Sequence, residues 1–144
     1  VIDGPVEQQK ALLAEWPYPN QLAAPVWHMG LPIDYLLFLC DRYPRVCFGS
    51  TAQYWQIESE AWASRADKAF NALAQAHQYM PHIHMLRGLA LTGKRWPFAS
   101  ADSVNVARNY KDRGVDAEAM ARRLDGVQTP IKWSRQPEAQ ELAL

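Results

Sequence analysis

Polar and glycine residues stand at the ends of short apolar runs along this chain, where side chains can reach a ligand. The series is Asp3-Gly4, His28-Met29-Gly30, Gly49-Ser50-Thr51, Arg87-Gly88 and Asp102-Ser103. Residues so placed, Asp102 among them, read as catalytic where the strands close a barrel. A turn such as Gly49-Ser50-Thr51 lets backbone approach a ligand closely. His82 and His84 alternate on one face and, with His28 and Asp102, offer the donor set of a divalent metal site in a barrel hydrolase. Each feature also has a plainer reading. Asp102 can cap a helix starting near Val104, a role Ser103 would fill equally. The histidines can be core residues bonded to backbone carbonyls. Gly49-Ser50-Thr51 lacks the Gly-x-x-x-x-Gly-Lys spacing of a phosphate loop and reads equally as a strand-to-helix turn.

Short β-rich runs alternate with longer amphipathic stretches, the signature of βα units on a parallel sheet. Strands are expected over about 1–3, 24–28, 45–49, 82–86 and 97–101. Helices are expected from Val6 to Trp16, Asp34 to Arg42, Glu58 to Gln78, Val104 to Lys111 and Asp116 to Val127. In the second of these Leu36, Leu37 and Leu39 face inward. In the third, Ala61, Trp62, Ala66, Ala69, Phe70 and Leu73 recur at helical spacing, and Arg65, Asp67 and Lys68 are expected to face solvent. Tyr54, Trp55 and Trp62 either line a ligand mouth or join the core. Residues 1–130 read as one domain and 131–144 as a surface arm. Strand ends carrying the polar groups point to a parallel (β/α) barrel of TIM type, whose sites are built at the carboxyl ends of its strands. A closed barrel takes about 250 residues, so five strands in 144 residues read as its C-terminal five-eighths. An open doubly wound sheet is the competing α/β architecture.

Composition removes several classes. Fifteen basic and fifteen acidic residues give a formal net charge of zero, so no global field draws the chain to nucleic acid or anionic lipid. Cys40 and Cys47 are too few for a disulfide framework or a four-cysteine zinc site, which suits a reducing compartment. Cys40 lies on a leucine-rich helix face, and nothing near Cys47 in sequence favours its thiolate. No apolar run reaches the roughly 18 residues of a membrane helix, and the chain opens at Val1 without a secretory leader. A cytoplasmic protein, and one that begins inside a longer fold, is the expectation. A local basic patch remains: Arg87, Lys94, Arg95, Arg108, Lys111 and Arg113 stand against Asp102 and Asp112 between positions 87 and 113, with Trp96 among them as a stacking platform for a base. That run reads equally as a solvated face.

The order of the strand ends resembles the tRNA-guanine transglycosylase superfamily, and most closely its bacterial and phage DpdA-like members, which place 7-deazaguanine derivatives in DNA. The resemblance spans nearly the whole chain. Its most specific piece is Phe98-Ala99-Ser100-Ala101-Asp102-Ser103-Val104 with Ala107-Arg108-Asn109, similar to the last barrel strand of the family. Pro25-Val26-Trp27-His28-Met29-Gly30 is similar to a strand that ends in a base-contacting glutamine and glycine, with His28 in the glutamine's place. Val46-Cys47-Phe48-Gly49-Ser50 resembles the strand whose glycine contacts the heterocycle, His84-Met85-Leu86-Arg87-Gly88-Leu89 the next one, and Val1-Ile2-Asp3-Gly4 the strand whose aspartate reads the guanine edge.

The resemblance implies guanine exchange for a 7-deazaguanine through a glycosyl ester on Asp102, with DNA favoured over tRNA as the polymer. Asp3 would then read the base, with His28, Gly30, Gly49, Ser50, Arg87, Gly88 and Ser103 shaping the pocket, and Lys94, Arg95, Arg108 and Lys111 would hold the backbone. A target base in a duplex would have to be flipped. No cofactor is implied. The family's zinc motif and its first three strands, which carry a second catalytic aspartate, have no counterpart here, so a second chain supplying those strands is an expected partner. A metal-dependent hydrolase, and an inactive half-barrel that binds nucleic acid or a partner through bare strand edges, are the other readings.

Overall fold

The computed structural model describes residues 4–103, 116–127 and 132–137. The chain is α/β, with four parallel strands in one sheet: β1 (Val26–His28), β2 (Arg45–Gly49), β3 (His82–Met85) and β4 (Ser100–Ala101). Their order in the sheet is their order in the chain. The described strands therefore contain no reversal of the kind that makes the ligand crevice of a doubly wound sheet. The helices are α1 (Val6–Ala14), α2 (Ile33–Cys40), α3 (Glu60–Ala76) and α4 (Ala117–Asp125). None is long and apolar enough to cross a membrane among the described residues.

Local chemistry explains the boundaries. α3 starts where the Ser59 side chain accepts from the Trp62 N–H at 3.2 Å, and α4 where Asp116 accepts from the Ala119 N–H at 3.0 Å. Pro5 and Pro32 occupy the residue before α1 and α2. β1 begins at Val26, although the Pro25 carbonyl already accepts from Cys47 N. β4 is shorter than the run 97–101 suggests. Pro97 has no N–H to give, and the Phe98 N–H turns back to Trp96 O, so pairing starts at Ala99 N to Ile83 O.

Strand alternation divides the sheet into two faces. Trp27, Val46, Phe48, Ile83 and Met85 point to one side and are buried with Leu36 and Leu39 of α2 and Ala66, Ala69, Phe70 and Leu73 of α3. Phe48, Phe70 and Phe98 meet at centroid distances of 5.1 to 5.7 Å, and Trp62 stands edge-on to Trp96 at 4.9 Å. The core thus takes Trp62 by the second of its two expected readings, and it also takes in Trp96, expected as a stacking platform. Trp62 closes the core rather than a ligand mouth, and Trp96 is 5% exposed, so it offers no face to a nucleic-acid base. Trp55 alone of the expected mouth aromatics is fully on the surface.

The expectation that Arg65 and Asp67 face solvent is corrected. Arg65 donates from Nε to Met29 O at 2.9 Å and from Nη2 to Leu31 O, and it lies over the rings of Trp27 and Tyr54. Its guanidinium thereby fastens the β1–α2 loop to α3. Asp67 accepts from Trp96 Nε1 at 2.9 Å and pairs with Arg95. Residues 132–137 of the expected surface arm are hydrogen-bonded to α3. Buried Asn71 accepts from Trp133 Nε1 and Gln136 N and donates to Gln136 O, while Trp133 packs on Phe70. The strand expected at 1–3 and the helix from Val104 to Lys111 lie outside the described residues.

Candidate functional site

The second face of the sheet carries the polar and titratable strand residues. Val26, His28, Cys47, Gly49, His84 and Ser100 point to it, because each is offset by one residue from a core-facing neighbour. The ladder continues past the strands: Met29 N donates to Gly49 O, Leu86 N to Phe48 O, and Asp102 N to Met85 O. These bonds align the carboxyl ends, so the polar residues that follow them share one rim.

Asp102 is the most tightly placed member. Its N–H donates to Met85 O at 3.3 Å, its carbonyl accepts from Leu89 N at 3.2 Å, and its Oδ1 accepts from the Arg87 N–H. Arg87 itself adopts a left-handed backbone, with φ of 57°. A non-glycine residue held there stores about 1–2 kcal/mol of local strain. Gly88 follows because a Cβ at that position would fall 2.0 Å from Met85 Cγ. The Asp102 side chain remains 55% exposed, and both of its carboxylate contacts with other described residues fall on Oδ1.

Beside it, His84 Nε2 faces Asp102 Oδ1 at 3.9 Å, and His84 Nδ1 meets Ser100 Oγ at 2.8 Å. The same hydroxyl meets His82 Nε2 at 3.1 Å. Burial, then the Arg45 guanidinium and then His84, hold the His82 imidazole below its ordinary pKa of 6.5. Cys47, the register partner of His84, has its thiol pushed up by burial and by the Asp102 charge. Burial and Asp41 push Cys40 up to about 12. Neither thiol is a nucleophile at neutral pH. Ser100 was absent from the expected site residues, although its two-residue offset from Asp102 and its pairing with His84 place it among them.

The β1–β2 end is different in kind. His28, Gly30, Leu31, Thr51 and Ala52 line an open cleft of about 380 Å³. A Cβ on Gly49 would lie 3.1 Å from Val26 Cγ1 and 3.3 Å from His28 Nδ1, so His28 covers the glycine that was expected to approach a ligand directly. Ser50 is buried, and its hydroxyl accepts from Trp62 Nε1 at 2.9 Å, which commits it to the core rather than to a substrate. Ser103 follows Asp102 on the rim and is exposed.

The metal set does not assemble. The register sets His28 opposite Gly49 and His84 opposite Cys47, two residues out of line and two strands apart. Among the described residues no three His, Cys, Asp or Glu side chains form a group able to hold a metal ion. The local basic excess is reduced as well. Lys94 pairs with Glu58, and Arg95 pairs with Asp67 at 2.6 Å while stacking on Trp96. Both carboxylates come from outside the window in which the charges were counted. Asp3, Arg108 and Lys111 lie outside the described residues. Compared with known proteins, the chain matches no family model, no curated protein and no solved structure.

Proposed function

We propose that this chain is the catalytic part of a nucleic-acid base-exchange enzyme, a guanine transglycosylase in which Asp102 forms the glycosyl ester. The observation that carries the reading is the Asp102 carboxylate. It stands at the carboxyl end of β4, fixed through Oδ1 by the Arg87 N–H and half exposed through the rest. A carboxylate held so can attack C1′ of a nucleotide without first reorganising, which is how enzymes use fixed groups to lower a displacement barrier. The attacking 7-deazaguanine then enters from the face that guanine left, and configuration is retained.

Four parallel strands in chain order, with polar residues at their carboxyl ends, fit the C-terminal portion of a (β/α) barrel. In that setting the cleft lined by His28, Gly30 and Thr51 takes the base, and DNA is the favoured polymer. The test is intact mass under denaturing quench after incubation with guanine-containing DNA or RNA oligonucleotides. A nucleotide adduct on Asp102, absent from Asp102→Asn, is the expected result. Guanine release by Asp102→Asn at the wild-type rate overturns the reading.

A further inference from the structure

A purine that leaves C1′ with the electron pair of its glycosidic bond must receive a proton, and the incoming base must lose one. We propose that His84 carries that proton, acting as general acid in the first half of the exchange and as general base in the second; the inference rests on the base-exchange reading. The geometry that supports it is the imidazole's place between two fixed groups. Nε2 faces Asp102 Oδ1 at 3.9 Å, beside the oxygen that would bond to the sugar, and Nδ1 meets Ser100 Oγ at 2.8 Å.

Ser100 sets the ring's orientation and adapts to its protonation. A hydroxyl has one hydrogen to give, so Ser100 donates to one histidine and accepts from the other. With hydrogen on His84 Nε2, facing the carboxylate, Nδ1 accepts from Ser100 and His82 Nε2 donates to the hydroxyl oxygen. When His84 gains a second hydrogen at Nδ1, the hydroxyl turns to accept from it and donates to His82. That exchange requires a neutral His82, and burial, Arg45 and His84 keep it so at neutral pH. Among the described residues the other ionisable groups placed at this face are Asp102, His28 on β1, the Cys47 thiol and Arg45 beside His82. Arg87 reaches the carboxylate through its backbone N–H.

The atoms balance. First, Asp102 Oδ2 bonds to C1′, the C1′–N9 bond breaks, and the His84 Nε2 proton moves to the departing guanine. Esterification removes the negative charge beside His84, so the imidazolium loses its counter-charge at the moment its proton is needed. Next, N9 of the 7-deazaguanine bonds to C1′, the C1′–O bond breaks to restore the carboxylate, and the N9 proton returns to His84. One base replaces the other and nothing else is consumed.

The experiment compares base release from oligonucleotides carrying guanine with release from those carrying 7-methylguanine, which departs as a neutral base without an acid's help. His84→Gln is expected to slow guanine release by about 10²- to 10⁴-fold, the usual contribution of an acid catalyst, and 7-methylguanine release by less than about threefold. Ser100→Ala should slow guanine release more mildly and with the same selectivity. Equal losses on both substrates would make His84 a structural residue, and an unchanged guanine rate would make it a bystander; either overturns the proposal. Asp102→Asn separates the two levels. If it abolishes adducts on both substrates while His84→Gln fails to discriminate, only this inference falls. If Asp102→Asn releases both bases normally, the base-exchange reading falls and this one with it.

Discussion

The two faces of the sheet are made by the same strands, one residue apart, and they answer to different physics. Trp27, Val46, Phe48, Ile83 and Met85 are buried against α2 and α3, in contact with other apolar groups. His84, Ser100 and Asp102 are held by hydrogen bonds and keep part of their surface in solvent. The first face contributes stability through area removed from water, and the second sacrifices that contribution to keep polar atoms aimed at a common point. If this division is right, substitutions on one face change folding and those on the other change chemistry.

The largest expected effect is on the first face. Phe48→Ala empties the centre of the Phe48, Phe70, Phe98 and Trp27 contacts and should destabilise the fold by about 3–5 kcal/mol. Against the 5–15 kcal/mol that holds a typical domain together, that is a large share. His84→Gln removes one bond to Ser100 from a partly exposed site and should cost no more than about 1.5 kcal/mol of stability. Equal losses in urea titrations of the two variants would break the comparison.

A second pair tests polar groups that serve the core. Asn71→Ala removes the acceptor of Trp133 Nε1 and Gln136 N and the donor to Gln136 O, at a cost of about 1–3 kcal/mol. Residues 132–137 should then be cut by protease under native conditions, and a wild-type digestion pattern would contradict their docking by Asn71. Asp67→Ala leaves the buried Trp96 N–H without its partner and should cost about as much. An ordinary exposed pair such as Glu118 with Arg122 should cost under about 1 kcal/mol on truncation.

Much of this arrangement was legible in the residues. Strand β2 and the starts of β3 and α1 fall where alternation and helical spacing put them, and the histidine pair was placed on one face by its spacing. The errors share a cause. Arg65 and Asp67 were assigned to solvent because their type is usually solvated, whereas the loop carbonyls of Met29 and Leu31 and the indole of Trp96 draw them inward. Lys94 and Arg95 counted as a basic patch because Glu58 and Asp67 are distant in sequence. Ser50 counted as a ligand contact because its partner Trp62 lies a loop away. Local pattern reports which face a residue is on; it does not report what a distant element brings to meet it.

The smallest effect concerns pH, and it sharpens the contrast from the chemical side. Burial, Arg45 and His84 hold the native His82 below 6.5, the value the unfolded chain recovers. Just below pH 6.5 the unfolded state therefore binds more protons than the native one, so this group makes stability rise with pH through that window. Above it, both states are neutral and the slope disappears. Solvent screens a side chain this exposed, so the contribution is under about 0.5 kcal/mol. Urea midpoints of wild type and His82→Gln at about pH 5.5 and 7.5 isolate it, because the other histidines and carboxylates titrate in both proteins. The wild type should lose slightly more stability on acidification than the variant. An equal loss would mean that burial, Arg45 and His84 do not lower His82 in solution, and the neutral partner that Ser100 requires would have to be found elsewhere.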